Sequence, residues 1–152
     1  MNRIKYKSPI GWLEIRESDN AISHLLFHDN EPGFEVSDTP LLMMALKQLD
    51  EYFTGERKSF DLPCALNSTS FRMKVWHELL QIPYGEIWTY GRIAANIGNP
   101  KASRAVGQAN HHNPISIIIP CHRVIGSDGS MTGYGGDVWR KEWLLAFEKE
   151  NR

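Results

Sequence analysis

A chain of 152 residues, 41% hydrophobic and 23% charged, has the composition of a soluble globular protein and the length of one ordinary domain or two small ones. No apolar stretch approaches bilayer-spanning length, and Met1-Asn2-Arg3-Ile4-Lys5-Tyr6-Lys7 lacks the apolar core of an export signal. A cytoplasmic location is therefore expected, with no membrane partner and with Cys64 and Cys121 as reduced thiols. The net charge of −1 conceals a split, because residues 1–66 carry 7 Lys+Arg against 11 Asp+Glu while residues 67–152 carry 10 against 7.

In chain order, residues 4–7, 12–16 and 21–27 read as short strands, broken by Ser8-Pro9-Ile10-Gly11 and by Asp19-Asn20. A polar loop over 28–38 leads to Thr39-Pro40 and a helical pattern of Leu42, Leu46, Leu49 and Phe53 closed by Gly55. Residues 61–69 have no periodicity and read as a linker. This divides the chain into a small N-terminal α/β domain over 1–66 and a mostly helical domain over 67–152.

In the second domain Ser70 is expected to cap a helix running to Gln81, stopped by Pro83. Thr89 can cap a short helix over 90–97 ended by Gly98, and residues 102–110 form another after Asn99-Pro100-Lys101. Two short helices joined by such a turn outline a helix-turn-helix. An apolar run over 115–119 reads as a buried strand leading into Pro120-Cys121-His122-Arg123. Residues 126–136 hold five glycines and form a loop, and 138–150 form a last helix with Trp139, Trp143, Leu144 and Phe147 facing inward.

The two cysteines differ in setting. Cys64 has no adjoining base or cation and reads as a small core residue. Cys121 stands at the end of an apolar run, followed at once by His122 and Arg123, and a neighbouring base or cation favours thiolate over thiol. The spacing alone fits equally a structural His122 bonded to a backbone carbonyl. In the 102–110 helix, Ala102, Ser103, Ala105, Gly107 and Ala109 are small and Arg104 is a lone long cation. An ordinary helix about 10–12 Å across is too wide for a minor groove of about 6 Å, and a small-residue face relieves that mismatch. Tight packing in a core would call for the same residues, although Arg104 argues against burial. Between Arg72 and Arg123 six basic residues face two acids, a local excess that can attract phosphates. His24, His28, His111 and His112 lack zinc-site spacing, and the glycine loop lacks the Gly-Lys-Ser/Thr of a phosphate-binding loop. Neither a metal nor a cofactor is expected.

Taken together, Phe71…Val75-Trp76, Ile82-Pro83-Tyr84-Gly85, Thr89-Tyr90-Gly91, Ser103-Arg104-Ala105-Val106-Gly107, Asn113-Pro114, Ile119-Pro120-Cys121-His122-Arg123-Val124, Gly133-Tyr134-Gly135 and Trp143-Leu144-Leu145…Glu148 resemble the O6-alkylguanine-DNA alkyltransferases. The Arg-Ala-Val-Gly helix seventeen residues before the cysteine of Pro-Cys-His-Arg makes the combination specific. The resemblance implies a ribonuclease-H-like N-terminal domain and a winged-helix-like DNA-binding unit. It implies that Cys121 irreversibly accepts an alkyl group from O6 of guanine, and also from O4 of thymine, in double-stranded DNA, once per molecule. In that picture His122 is the base, acting through a water and oriented by Glu148, and Tyr90 donates to the departing guanine and helps rotate its nucleotide. Arg104 fills the vacated stack on a face formed with Ala102, Ser103, Ala105 and Gly107. Arg123 also lies at DNA, Asn113 is a hinge, and Tyr134, Gly135 and Trp76 complete the pocket. Some members carry a structural zinc, but no cysteine precedes Cys64, so none is expected here. The expected state is a monomer.

Three other readings compete. Relatives that flag alkylated DNA keep the helix but lack the acceptor cysteine, which is present here. A hydrolytic thiol enzyme using Cys121 and His122 would leave the Arg104 helix without a task. A helix-turn-helix regulator would need base-reading polar side chains that the second helix lacks.

Overall fold

The computed structural model describes residues 1–131 and 137–152. Strands β1 (Asn2–Ser8), β2 (Gly11–Ser18) and β3 (Ala21–His28) form an antiparallel sheet in that order. Asp19 (φ 51°) and Asn20 (φ 61°) both adopt left-handed backbone, the requirement of a two-residue hairpin turn whose twist matches the flanking strands. Helix α1 (Pro40–Phe53) starts where Thr39 accepts a hydrogen bond from the Leu42 N–H at 3.2 Å, with Pro40 in the first turn. Its buried face, Leu42, Ala45, Leu49 and Tyr52, packs on the sheet above Leu13, Ile15, Ile22 and Leu25.

The 61–69 stretch is more than a linker. The Gln48 side chain donates to the Asp61 carbonyl and accepts from the Asp61 N–H, and Ile22 exchanges backbone hydrogen bonds with Pro63 and Ala65. Cys64 is thereby held beside β3, where burial pushes its thiol up to about 11.

Residues group into two compact units, Met1–Leu66 with Pro114–Ile118, and Asn67–Asn113 with Ile119–Arg152. The expected strand over 115–119 does not form. Ile115 makes a single bridge to Leu25, and Ile117 takes a left-handed backbone (φ 71°), which is strained for a β-branched residue. The segment buries its isoleucines through turns instead of a ladder.

In the second unit Thr69, not Ser70, caps α2 (Ser70–Leu79) by accepting from the Arg72 N–H at 3.2 Å. Strand β4 (Trp88–Thr89) pairs in parallel with β5 (Val124–Ile125), a two-residue contact too short for a sequence signature. Thr89 caps α3 (Tyr90–Asn96), and Gly98 (φ 82°) turns the chain toward α4 (Ser103–His111), which packs against α3 as a helix-turn-helix. Helix α5 (Val138–Asn151) presents Arg140, Lys141, Leu144 and Glu148 inward, while Trp139 is half exposed and Trp143 stacks on Phe147 at 4.9 Å. The inward aromatic face expected of this helix is thus largely polar. Among the described residues no helix is long and apolar enough to cross a membrane.

Candidate active site and DNA-facing helix

Cys121 opens a single 3₁₀ turn, Cys121–Arg123, and is 2% exposed. Its N–H donates to the Ile119 carbonyl at 2.7 Å, and the two asparagines of α4 and its exit fix the carbonyls on either side of Pro120. Asn113 Nδ2 donates to Ile119 O at 2.9 Å, and Asn110 Nδ2 donates to Cys121 O at 3.2 Å. The backbone carrying the sulfur is therefore tied to the end of α4. Trp76 is tied there too, its indole N–H donating to the Ala109 carbonyl at 2.9 Å.

His122 and Arg123 converge on one buried carboxylate. His122 Nε2 lies 2.7 Å from Glu148 Oε2, while Arg123 donates from Nε to Oε1 at 2.8 Å and from Nη2 to Oε2 at 3.0 Å. The Gly85 N–H adds a bond to Oε1 at 3.2 Å, and Arg123 Nη1 donates to the Ile82 carbonyl at 2.8 Å. Burial alone would raise the Glu148 carboxyl, but the His122 and Arg123 partners outweigh it and hold Glu148 well below the usual carboxylate range. Burial lowers His122 below its ordinary value, opposed by Glu148 and reinforced by Arg123 and Lys141, which favours the neutral imidazole. A carboxylate only accepts hydrogen bonds, so Nε2 carries the ring proton and Nδ1 holds a lone pair. Nδ1 is buried and has no hydrogen-bond partner among the described residues. The arrangement anchors one imidazole nitrogen and leaves the other with its lone pair unpartnered among the described residues.

Lys141, unremarked in the sequence, is fully buried beneath this turn, its ammonium donating to the Val124 carbonyl. Burial pushes it down to about 8, and the charge of Cys121 works against that shift. A lysine on a helix ordinarily reads as solvated surface, so no sequence signal marked it. Its ammonium also lies 5.8 Å from the ring centroid of Tyr90, the buried first residue of α3.

On α4, Arg104 and Ala105 are exposed, Ala102, Ser103 and Gly107 are half-buried, and Val106, Ala109 and Asn110 face inward. A Cβ built on Gly107 would meet nothing within 4 Å. Packing within this chain therefore does not require the glycine. Gly107→Ala should raise folding stability by about 0.5–1 kcal/mol, read from urea unfolding, because glycine is costly inside a helix. If the space is kept for DNA, the same substitution should weaken duplex binding; undiminished binding would dissociate Gly107 from the interface. His111 and His112 are exposed at the end of the helix, His112 bonding Gln108 O.

A family model described as the 6-O-methylguanine DNA methyltransferase DNA binding domain matches residues 70–150, and one for the ribonuclease-like domain of the same proteins matches residues 1–66.

The chain belongs to the O6-methylguanine DNA methyltransferase family.

Among relatives, the methylated-DNA–protein-cysteine methyltransferase of Methanosarcina acetivorans is 47% identical over 148 residues, covering 94% of this chain and 95% of its own. That of Mycobacterium tuberculosis H37Rv is 48% identical, covering 93% and 88%. The crystal structure of Mycobacterium tuberculosis O6-methylguanine methyltransferase matches with a TM-score of 0.88 at 44% identity, over 99% of this chain and 94% of that one. The same organism's protein in complex with DNA matches with a TM-score of 0.90 at 44% identity and the same coverage.

Of the residues singled out by resemblance to O6-methylguanine DNA methyltransferases, His122, Arg123 and Glu148 meet in one hydrogen-bonded cluster next to Cys121. Asn113 and Trp76 bind the backbone around the cysteine and α4. Arg104 stands on the exposed face, away from that cluster's buried interior. Tyr134 and Gly135 lie outside the described residues.

Proposed function

We propose that this chain repairs double-stranded DNA by moving the alkyl group of O6-alkylguanine, and of O4-alkylthymine, irreversibly to Cys121. The observation that carries the reading is the buried His122, next to Cys121 in sequence, anchored to Glu148 through Nε2 and with Nδ1 unpartnered among the described residues. In this mechanism a water passes the thiol proton to Nδ1. The thiolate then attacks the alkyl carbon in line; the S–C bond forms as the C–O6 bond breaks, and the electron pair passes into the guanine ring. The ring takes a proton from the Tyr90 hydroxyl, which solvent restores. The product thioether is a poor leaving group, so each molecule reacts once.

O6 of a paired guanine is inside the stack, so the base must be extruded, at a cost of a few kcal/mol. Arg104, exposed on a helix face of small residues, is suited to enter from the minor groove and occupy the gap. The basic excess of residues 67–152 supplies the phosphate affinity. The names of the relatives and the DNA complex of the Mycobacterium tuberculosis protein support the same substrate.

Intact mass after incubation with duplex DNA containing O6-methylguanine tests the reading. A gain of one methylene mapped to the peptide containing Cys121, stoichiometric and without turnover, is expected. A protein that binds the lesion without gaining mass would be a damage-flagging protein instead. Arg104→Ala should slow reaction with the duplex by roughly ten- to hundredfold, with little effect on reaction with free O6-benzylguanine, which has no stack to fill. Equal losses on both substrates would remove Arg104 from that role.

A further inference from the structure

Arg92 stands exposed in the first turn of α3, and no carboxylate among the described residues pairs with it. Arg123 and Arg140 are held by carboxylates, those of Glu148 and Asp137. Arg92 is held by a ring instead, its guanidinium lying over Trp88 at 4.0 Å from the ring centroid. A ring takes up the flat face of a guanidinium and leaves the N–H donors on its edge unused. The backbone is fixed as well, since the Thr89 hydroxyl accepts from the Arg92 N–H at 3.1 Å.

Trp88 is a costly support. It is 7% exposed, and its indole N–H is buried with no hydrogen-bond partner among the described residues. A phenylalanine would fill the place without stranding a donor, but tryptophan offers a cation the best ring face. Trp88 also stands directly across the β4–β5 ladder from Val124, the residue that follows the Cys121–Arg123 turn. A Cβ on Gly91 would lie 3.7 Å from Ser103 Oγ, so Arg92 and Arg104 leave adjoining turns of α3 and α4. An oriented cation without a counter-charge, tied both to the cysteine turn and to the DNA-facing helix, calls for an anion.

We propose that Arg92, laid on Trp88, is a preset clamp for one phosphate of the lesion-bearing DNA strand and holds it at a fixed offset from Cys121. This rests on the alkyl-transfer reading of Cys121. The edge of a guanidinium binds two phosphate oxygens at once. In a helix-turn-helix the first helix crosses the DNA backbone, which brings α3 to the phosphates. A free arginine loses side-chain freedom on binding, whereas one already laid on a ring has less to lose. Arg92 is a positioning residue, acting on the strand and not on the sulfur.

The experiment measures single-turnover transfer, at subsaturating protein, from O6-methylguanine duplexes in which one phosphate at a time is an uncharged methylphosphonate. With wild-type protein one lesion-strand methylphosphonate should slow transfer about tenfold. Arg92→Ala should be slow on the unmodified duplex, lose nothing further at that phosphate, and show a salt slope shallower by about one. Trp88→Leu should slow wild type yet add little to Arg92→Ala, because the ring acts through the arginine. An Arg92→Ala loss that is the same on every methylphosphonate duplex, with an unchanged salt slope, overturns the clamp. Full multiplication of the Trp88→Leu and Arg92→Ala losses overturns the ring as its support. Coupling to a phosphate of the opposite strand overturns the placement relative to Cys121. Wild type that takes up no methyl group from the unmodified duplex would overturn the transfer reading itself, and this inference with it.

Discussion

Cys121→Ser should abolish alkyl uptake while leaving duplex binding within a few-fold of wild type. A serine hydroxyl is far less acidic than a thiol, and His122, a neutral imidazole, cannot ionise it enough to displace a guanine. The substitution is close in volume at a site only 2% exposed, so the 3₁₀ turn and its hydrogen bonds to Ile119 and Asn110 should survive. In the proposed binding mode affinity comes from the α4 face and the basic residues of 67–152, none of which this substitution changes. The measurements are intact mass after exposure to O6-methylguanine DNA and a fluorescence-anisotropy titration with the same duplex. Cys64→Ser is the counterpart, because a thiol pushed up to about 11 stays protonated near neutral pH. Inactivation by that substitution would move the nucleophile to Cys64.

The second large effect is on stability. Glu148→Ala removes the acceptor shared by His122, Arg123 and the Gly85 N–H and leaves the Arg123 guanidinium buried without a counter-charge. Deleting one partner of a buried ion pair costs about 3–5 kcal/mol, visible in urea unfolding. The transfer rate should fall as well, since His122 loses the bond that fixes its tautomer. Replacing both partners, Glu148→Leu with Arg123→Met, should recover much of the stability and none of the rate. A loss under about 1 kcal/mol for the single substitution would mean that water reaches the cluster.

Acid should probe the same cluster. Glu148 and His122 both have folded values below their ordinary 4.5 and 6.5. The native state therefore binds fewer protons than the unfolded chain, and stability is lost as pH falls. The His122 contribution is present above its unfolded value and erodes from about pH 6.5 downward; that of Glu148 erodes below about pH 4.5. The wild-type curve should be flat near neutrality and fall on the acid side, with a shallower fall below pH 4.5 in Glu148→Ala.

Much of the fold is readable from local chemistry. Thr39-Pro40 and Thr89 mark helix starts because a side-chain oxygen must satisfy an otherwise orphan N–H, and both do so. Asp19-Asn20 marks a hairpin because few residues tolerate left-handed backbone. The misreadings share a cause. Ile115 to Ile119 is apolar without a period, and burial, which the run does encode, needed no ladder. In Ser68-Thr69-Ser70 three adjacent residues can all cap, so the register of α2 was set by packing of Val75, Trp76 and Leu79. Residues 61–69 carry no pattern because Gln48 and Ile22, distant in sequence, hold them. For the site, Cys121 and His122 are legible as neighbours, but the bond to Glu148 spans 26 positions and only the family resemblance pointed to it. Lys141 and Asn110 were invisible, because nothing local separates a buried lysine or asparagine from a solvated one.

That 26-residue separation has a consequence for the order in which the protein is made. At a synthesis rate of about 5–20 residues per second, His122 leaves the peptidyl-transferase centre roughly one to five seconds before Glu148 is added. During that interval the nascent chain carries its thiol and its imidazole without the carboxylate that anchors the ring and neutralises Arg123. In the proposed mechanism the histidine base is thus assembled only once α5 has docked and brought Glu148 to His122.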